Sequence, residues 1–429
     1  MTKSRRRRLF IGLVLAGTLW SFAAAAKPVD RGYQQRYDNL WLVISREFYD
    51  PDFGGVDWSR VRERYRARAE AVRDDDGFRQ LADDMLSELG SSHLRIGGPG
   101  RATPATGIGA RFSTIEDQVI VADVAAGSDA EARGLVPGDR LLSPLASVRG
   151  ERGSKATLAV ERCSGEVATL VIRREQVYWP IRPPYLTWSR AEVDGLGTLA
   201  RLRVSRFDDG AAEEADAAMA ELLDADVLII DLRRAIGGNM SALRLASWFA
   251  PAAEPAIVLV SRQYLRALGR VPRAGDLARL PKVSGAHTGN AVYNALNNSR
   301  SAAAFWTESL PHRFGGQVFV LVGENTRSAA EAFAWYMRRH TDAVLVGRPT
   351  AGSLLSAREF PIGDGWWVSV PVRGVWGPDG KEYSDRAVPP HIETAWTRAD
   401  HCSGRDPDVR AVLDRVAQRR SAAADSSGL

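Results

Sequence analysis

The sequence predicts a multidomain α/β protein, and three observations carry that prediction. At 429 residues the chain exceeds what one ordinary hydrophobic core organises. From about residue 185 onward, β-branched apolar runs alternate with amphipathic helical stretches, the pattern of a layered α/β core. Ahead of that core lie a purely helical stretch and then a strand-dense one, so the architecture changes twice along the chain. Hydrophobic residues at 45% and charged residues at 25% place it among globular chains rather than disordered ones.

Residues 1–26 read as a signal peptide. Arg5 to Arg8 form a basic start, Leu9 to Phe22 an apolar run, and Ala23 to Ala26 the small residues where a signal peptidase cuts. An uncleaved anchor is the alternative, disfavoured because the apolar run is short for a span. Export predicts a periplasmic or secreted protein with no membrane span after signal cleavage. It also disposes of the net charge of +5, because Lys3 and Arg5 to Arg8 leave with the leader. The mature chain is then neutral, and no nucleic-acid partner follows from charge. Cys163 and Cys402 are the two cysteines, free to pair in an oxidising compartment if the fold brings them together. No His, Cys and carboxylate spacing suits a metal, and none is expected.

Residues 27–100 form the N-terminal helical segment. Apolar residues recur at three and four in YDNLWLVISREFY, VDWSRVRERYRARAEAV and GFRQLADDMLSEL, and Pro51, Gly54 and Asp74 to Asp76 separate them. Residues 104–178 are strand-rich, with GIGARF, DQVIVADV, ATLAVER and ATLVIRR as the clearest strands. After the prolines at 180, 183 and 184 the core at 185–400 has strands at LGTLARLRV, DVLIIDLR, QVFVLVG, DAVLVGR and WWVSVPVR. Residues 263–312 have mixed signals and read as a lid or substrate-facing insertion. Residues 401–429 are a C-terminal helix and a tail expected to be disordered after Arg420.

The chemistry concentrates in VFVLVGENTRSAAEAFAWYMRRH. A buried strand ends at Gly323 and a helix begins near Ser328, with Glu331 three residues on. Ser-x-x-Glu is a capping box worth about 1 kcal/mol, and that alone would explain both residues. The other reading is a hydroxyl in the positive potential of a helix N-terminus, with the Ala329 N–H aimed at an oxyanion.

The order of motifs resembles the S41 serine peptidases, whose nucleophile stands three residues before a glutamate; here that is Ser328. DVLIIDLRRAIGG resembles the family's D-L-R-x-N-x-G-G turn, from which Gly237 is taken as the second oxyanion donor; Ala235 and Ile236 depart from it. The resemblance implies a ClpP/crotonase-type α/β catalytic core. One branch of the family carries a lysine where Ser353 stands, so a Ser–Lys dyad is disfavoured. The tricorn-like branch has L-G-x-S-H after its helices, matched by Leu89-Gly90-Ser91-Ser92-His93. The resemblance therefore makes His93 the base and Ser92 its orienter, in a relay to an acid near the C-terminus. Ser384 falls at that acid's position, with Asp385 beside it and Glu382 two residues before; Glu382, sharing a strand face with Ser384, is the substitute considered.

The strand-rich module resembles a truncated PDZ domain. GSDAEARGLVPGDRLL matches its signature, and Gly107, Ile108, Gly109 and Ala110 take the place of its carboxylate-binding loop. The stretch between Leu142 and Arg149 is short for a groove-lining helix. Together these resemblances imply a cofactor-free serine peptidase acting on a protein or peptide. A catalytically impaired binding protein for a peptide or apolar ligand, or a scaffold using only the PDZ-like edge, are the alternatives; oligomeric state is not legible.

Overall fold

The computed structural model describes residues 31–99, 106–176, 183–298 and 301–427. The leader reading at 1–26 lies outside them. No helix among the described residues is long and apolar enough to cross a membrane.

Two six-stranded sheets form the body. The first runs Ile392–Glu393, Val344–Gly347, Gln317–Val322, Val227–Asp231, Gly197–Val204, Leu186–Val193 in spatial order. It is parallel throughout, apart from the hairpin that adds Leu186–Val193. Period-two alternation decides where each side chain goes. Val227 and Ile229 meet Val412 and Val416 of the C-terminal helix Pro407–Ser427, while Leu228 and Ile230 face the main core. That helix continues past Arg420, where disorder was expected.

The second sheet centres on the long strand Trp366–Trp376. It pairs with Arg95–Gly97, Ser356–Gly363 and Pro255–Ser261, and Ala302–Trp306 and Lys282–Val283 follow beyond. The region expected as a lid is thus partly core: Ala302 to Phe305 are buried and pair with Pro255–Ser261. The three N-terminal helices Arg31–Glu47, Trp58–Ala71 and Asp75–Ser87 are not an independent unit. Leu40, Ile44, Phe78 and Met85 share one core with Ile362, Trp366, Val368 and Val370 of the second sheet.

Residues 106–176 have their own small core, from Ile108, Val121, Leu135, Leu158, Val160 and Ile172, under a five-stranded antiparallel sheet. A 3₁₀ turn, Leu145–Val148, stands where a groove-lining helix would be. Cys163 and Cys402 form a disulfide, tying this module to the short helix Arg398–Ser403. Arg398 adds to the tie, donating to the Gly138, Glu161 and Arg162 carbonyls.

Candidate active site

Ser328 lies at the C-terminal end of the strand Gln317–Val322, on the turn into the helix Ala329–His340. Its backbone is left-handed, with φ 53° and ψ −121°, a conformation that costs a non-glycine residue roughly 1–3 kcal/mol. Strained strand-to-helix turns of this kind thrust a serine hydroxyl into the open. Ser328 Oγ makes no capping hydrogen bond. Glu331 does the capping: its carboxylate accepts the Ser328 N–H at 2.9 Å.

Glu331 is fully buried and also accepts from Thr350 Oγ1 at 2.6 Å, the Gly352 N–H at 2.7 Å and the Ser353 N–H at 2.8 Å. Burial pushes its pKa up, opposed by those donors. It therefore fixes the Ser328 turn to the loop 350–353, and Ser353 is spent in that role.

The oxyanion candidates meet beside the serine. A Cβ on Gly237 would stand 2.6 Å from the Ser328 Cβ and 3.2 Å from the Ala329 nitrogen, and Gly237 has φ +91°. Only glycine suits both the approach and the torsion. Ala329, first in its helix, has no intrahelical acceptor for its N–H. Among the described residues neither the Ala329 nor the Gly237 N–H has a partner. The departures at Ala235 and Ile236 leave the turn pinned. The Ala235 carbonyl accepts the Arg327 N–H at 3.0 Å, and the Ile236 N–H donates to Ser205 at 3.2 Å.

The Asp231-Leu232-Arg233 segment forms a buried clasp under this turn. Arg233 donates to Asp231 at 2.8 and 2.9 Å, to Asp406 at 2.9 Å and to Asp408 at 2.7 Å. Burial alone would raise the Asp231 carboxyl, but Arg233 and Arg201 hold it well below the usual carboxylate range. Asp406 and Asp408 carry no local sequence signal for this role.

On the other side stands His93, left-handed at φ 65° on the loop between the third helix and Arg95–Gly97. Its Nδ1 lies 3.0 Å from Ser92 Oγ. Ser92 Oγ in turn bonds tightly to Asp385, which also accepts Ser91 Oγ at 2.7 Å and the Ser92 N–H at 3.3 Å. The carboxylate at the end of this chain of hydrogen bonds is Asp385. Glu382, the substitute considered from strand alternation, instead faces Ser384 and the Tyr49 side. The chain turns at Ser384–Asp385, with Asp385 at φ 49°, and it is this turn that brings the Asp385 carboxylate to Ser91 and Ser92. Ser384 is buried, its Oγ accepting the Val375 N–H at 2.9 Å.

With Ser92 donating to a carboxylate, its oxygen accepts from Nδ1–H, which leaves Nε2 unprotonated and able to act as a base. Burial holds the His93 pKa below its ordinary value; Asp385 opposes this, and Arg95 and Arg327 reinforce it. Arg327 is the residue before Ser328, so the serine turn lies within electrostatic range of the imidazole. No hydrogen bond joins Ser328 Oγ to the imidazole in this structure. The loop residues Gly107 to Ala110 lie in the five-stranded module. Ile108 is buried in its core, and the Gly109 carbonyl accepts the Ala125 N–H at 2.8 Å.

A fold with a strained serine elbow, two free N–H groups and a histidine relay defines the serine hydrolase class. Comparison with known proteins gives the family. Residues 198–394 match peptidase family S41, and residues 30–87 match the tricorn protease C1 domain. The chain thus carries a peptidase family S41 domain behind a tricorn C1 domain. It is 24% identical over 399 residues to tricorn protease homolog 1 of Streptomyces coelicolor, covering 89% of this chain and 35% of that one. It is also 24% identical to the chloroplastic C-terminal processing peptidase of Tetradesmus obliquus, over 86% of this chain and 79% of the relative. The chain thus spans about a third of the Streptomyces tricorn homologs it matches. Among solved structures, mature CPAF complexed with lactacystin superimposes with a TM-score of 0.63 at 14% identity, covering 91% and 98% of the two chains. The photosystem II D1 C-terminal processing protease gives 0.54 at 19% identity, covering 84% and 93%. At these identities the structural likeness speaks to the fold.

Proposed function

We propose that the chain is a cell-envelope peptidase that cleaves peptide bonds of proteins or peptides by a Ser–His acyl-enzyme mechanism. The carrying observation is the left-handed Ser328 turn packed against Gly237, with the Gly237 and Ala329 N–H groups unpartnered. Ser328 Oγ attacks the peptide carbonyl while His93 Nε2 takes its proton. The oxygen of the tetrahedral intermediate accepts from the two N–H groups. His93 then protonates the leaving amine, and water, activated by the same imidazole, releases the acid and restores Ser328. Asp385 acts through Ser92, holding the proton on Nδ1 and stabilising the imidazolium as it forms. The disulfide supports an oxidising compartment. Ala110–Ile115 is an edge strand of its sheet among the described residues, paired there with Gln118–Val124, which supports peptide capture by strand addition next to Gly107–Ala110.

A fluorophosphonate probe tests the mechanism. Labelling is expected in the wild type and absent in both Ser328→Ala and His93→Ala. A folded wild type that takes no label at any pH overturns it.

A further inference from the structure

Arg327 differs from the other arginines around the site. Its backbone is fixed on both sides of the serine turn: its N–H donates to Ala235 at 3.0 Å, and its carbonyl accepts the Ala330 N–H at 3.1 Å. Its side chain is exposed and forms no ion pair or hydrogen bond with any described residue. The neighbouring cations are compensated. Arg95 pairs with Glu359 at 2.8 Å, Arg234 with Asp123 at 2.7 Å, and Arg233 lies inside its carboxylate cluster. The nearby carboxylates are engaged as well, Asp385 by Ser91 and Ser92, and Glu331 by the loop 350–353. Arg327 therefore carries a positive charge next to the nucleophile without an ion pair among the described residues, on a side chain whose root the serine turn holds in place.

We propose that Arg327 is a specificity-determining residue that pairs with a substrate carboxylate flanking the scissile bond. The inference rests on the Ser328–His93 reading above. A guanidinium fork matches a carboxylate in two parallel N–H···O bonds, and the same geometry is open to the free C-terminus of a peptide and to an Asp or Glu side chain. Glu324, the carboxylate of the serine turn, is already paired with Arg348 at 2.9 Å, and a lysine beside the scissile bond would meet the positive charge of Arg327. Because the pair forms at a solvent-facing rim, its contribution falls with ionic strength.

The test uses the full chain and matched peptides sharing one cleavable bond. One has a neutral flank and an amidated end, one a neutral flank and a free carboxyl end, one a glutamate flank and an amidated end, and one a lysine flank and an amidated end. The wild type is expected to favour at least one carboxylate-bearing peptide by about tenfold in kcat/KM over the neutral amidated one, chiefly through KM. Which of the two is favoured identifies the source of the carboxylate. Arg327→Gln collapses that ratio to about one, Arg327→Lys recovers part of it, and Arg327→Glu turns the preference toward the lysine peptide. Equal kcat/KM across the set in the wild type overturns the proposal, as does a preference that survives in Arg327→Gln. Failure of the underlying mechanism has a separate signature: Ser328 then takes no fluorophosphonate label in any variant.

Discussion

Replacing Asp385 with Asn tests the relay at its least expected member. The carboxylate now accepts from Ser91 Oγ at 2.7 Å, from the Ser92 N–H at 3.3 Å, and tightly from Ser92 Oγ. An amide has one acceptor oxygen and one donor nitrogen, so it cannot satisfy both hydroxyls and the N–H as donors. Where the amide nitrogen meets Ser92, that hydroxyl becomes the acceptor and turns its own proton to His93 Nδ1. The imidazole proton then moves to Nε2, the nitrogen that must be free. A charge-assisted hydrogen bond is worth about 1.5–3 kcal/mol, which converts to a loss of roughly 10- to 150-fold in kcat/KM. An acid that touches its histidine directly costs about 10⁴-fold when changed this way, so the serine spacer sets the smaller expectation.

The pH profile adds an independent sign. His93 works as a base only when neutral, so activity rises with pH through its pKa. Burial already holds that pKa below the ordinary histidine value, and Asp385 is the chief group opposing the depression. Its removal moves the acid limb of kcat/KM further toward low pH, even as the plateau falls. Glu382→Gln is the control and should stay within about twofold, since Glu382 faces Ser384. An Asp385→Asn enzyme with an undiminished plateau, or an acid limb displaced to higher pH, refutes the assigned relay.

Two further outcomes follow from the fold. Ser328→Gly should melt above Ser328→Ala by about 1 kcal/mol of stability, because glycine relieves the φ of 53° that alanine retains; equal thermal unfolding of the two inactive variants would remove strain from the account. The Cys163–Cys402 bond spans 239 residues, for which loop-closure entropy gives about 5 kcal/mol as an upper value. Calorimetry with reductant, or of the Cys163→Ser/Cys402→Ser variant, should lower the unfolding of the 106–176 module by roughly 2–5 kcal/mol, and unchanged traces would show that Arg398 and its partners suffice.

What the sequence made legible was whatever depends on local pattern. Ser328, Gly237, Ser92 and His93 sit in short turns bounded by strong strand or helix signals, and each occupies the expected turn. The acid stayed open between Glu382 and another carboxylate near Ser384, because alternation presumes an extended chain, and the backbone turns at Asp385. Ala302–Trp306 was hidden for a different reason. Its first three residues are alanines, which have little strand propensity, and only tertiary burial makes AAAFW a strand. The Arg233 clasp depends on Asp406 and Asp408, more than 170 residues away, and no periodicity reaches that far.

The placement of the site also explains why helices precede a catalytic core that has its own sheets. Ser328 and Gly237 belong to the first sheet, on the turns that follow Gln317–Val322 and Val227–Asp231. His93 and Asp385 belong to the second: Arg95–Gly97 pairs with Trp366–Trp376, and Trp376 bridges to Glu382 just before the Asp385 turn. The helical segment packs on that same sheet through Phe78 and Trp366, so it anchors the base rather than merely covering the core. In the proposed mechanism nucleophile and base are therefore held by different sheets, and Ile257, Leu259 and Phe305 of one share a buried core with Leu228 and Val320 of the other. A change of packing there alters the distance between Ser328 and His93 while leaving the contacts within each half intact.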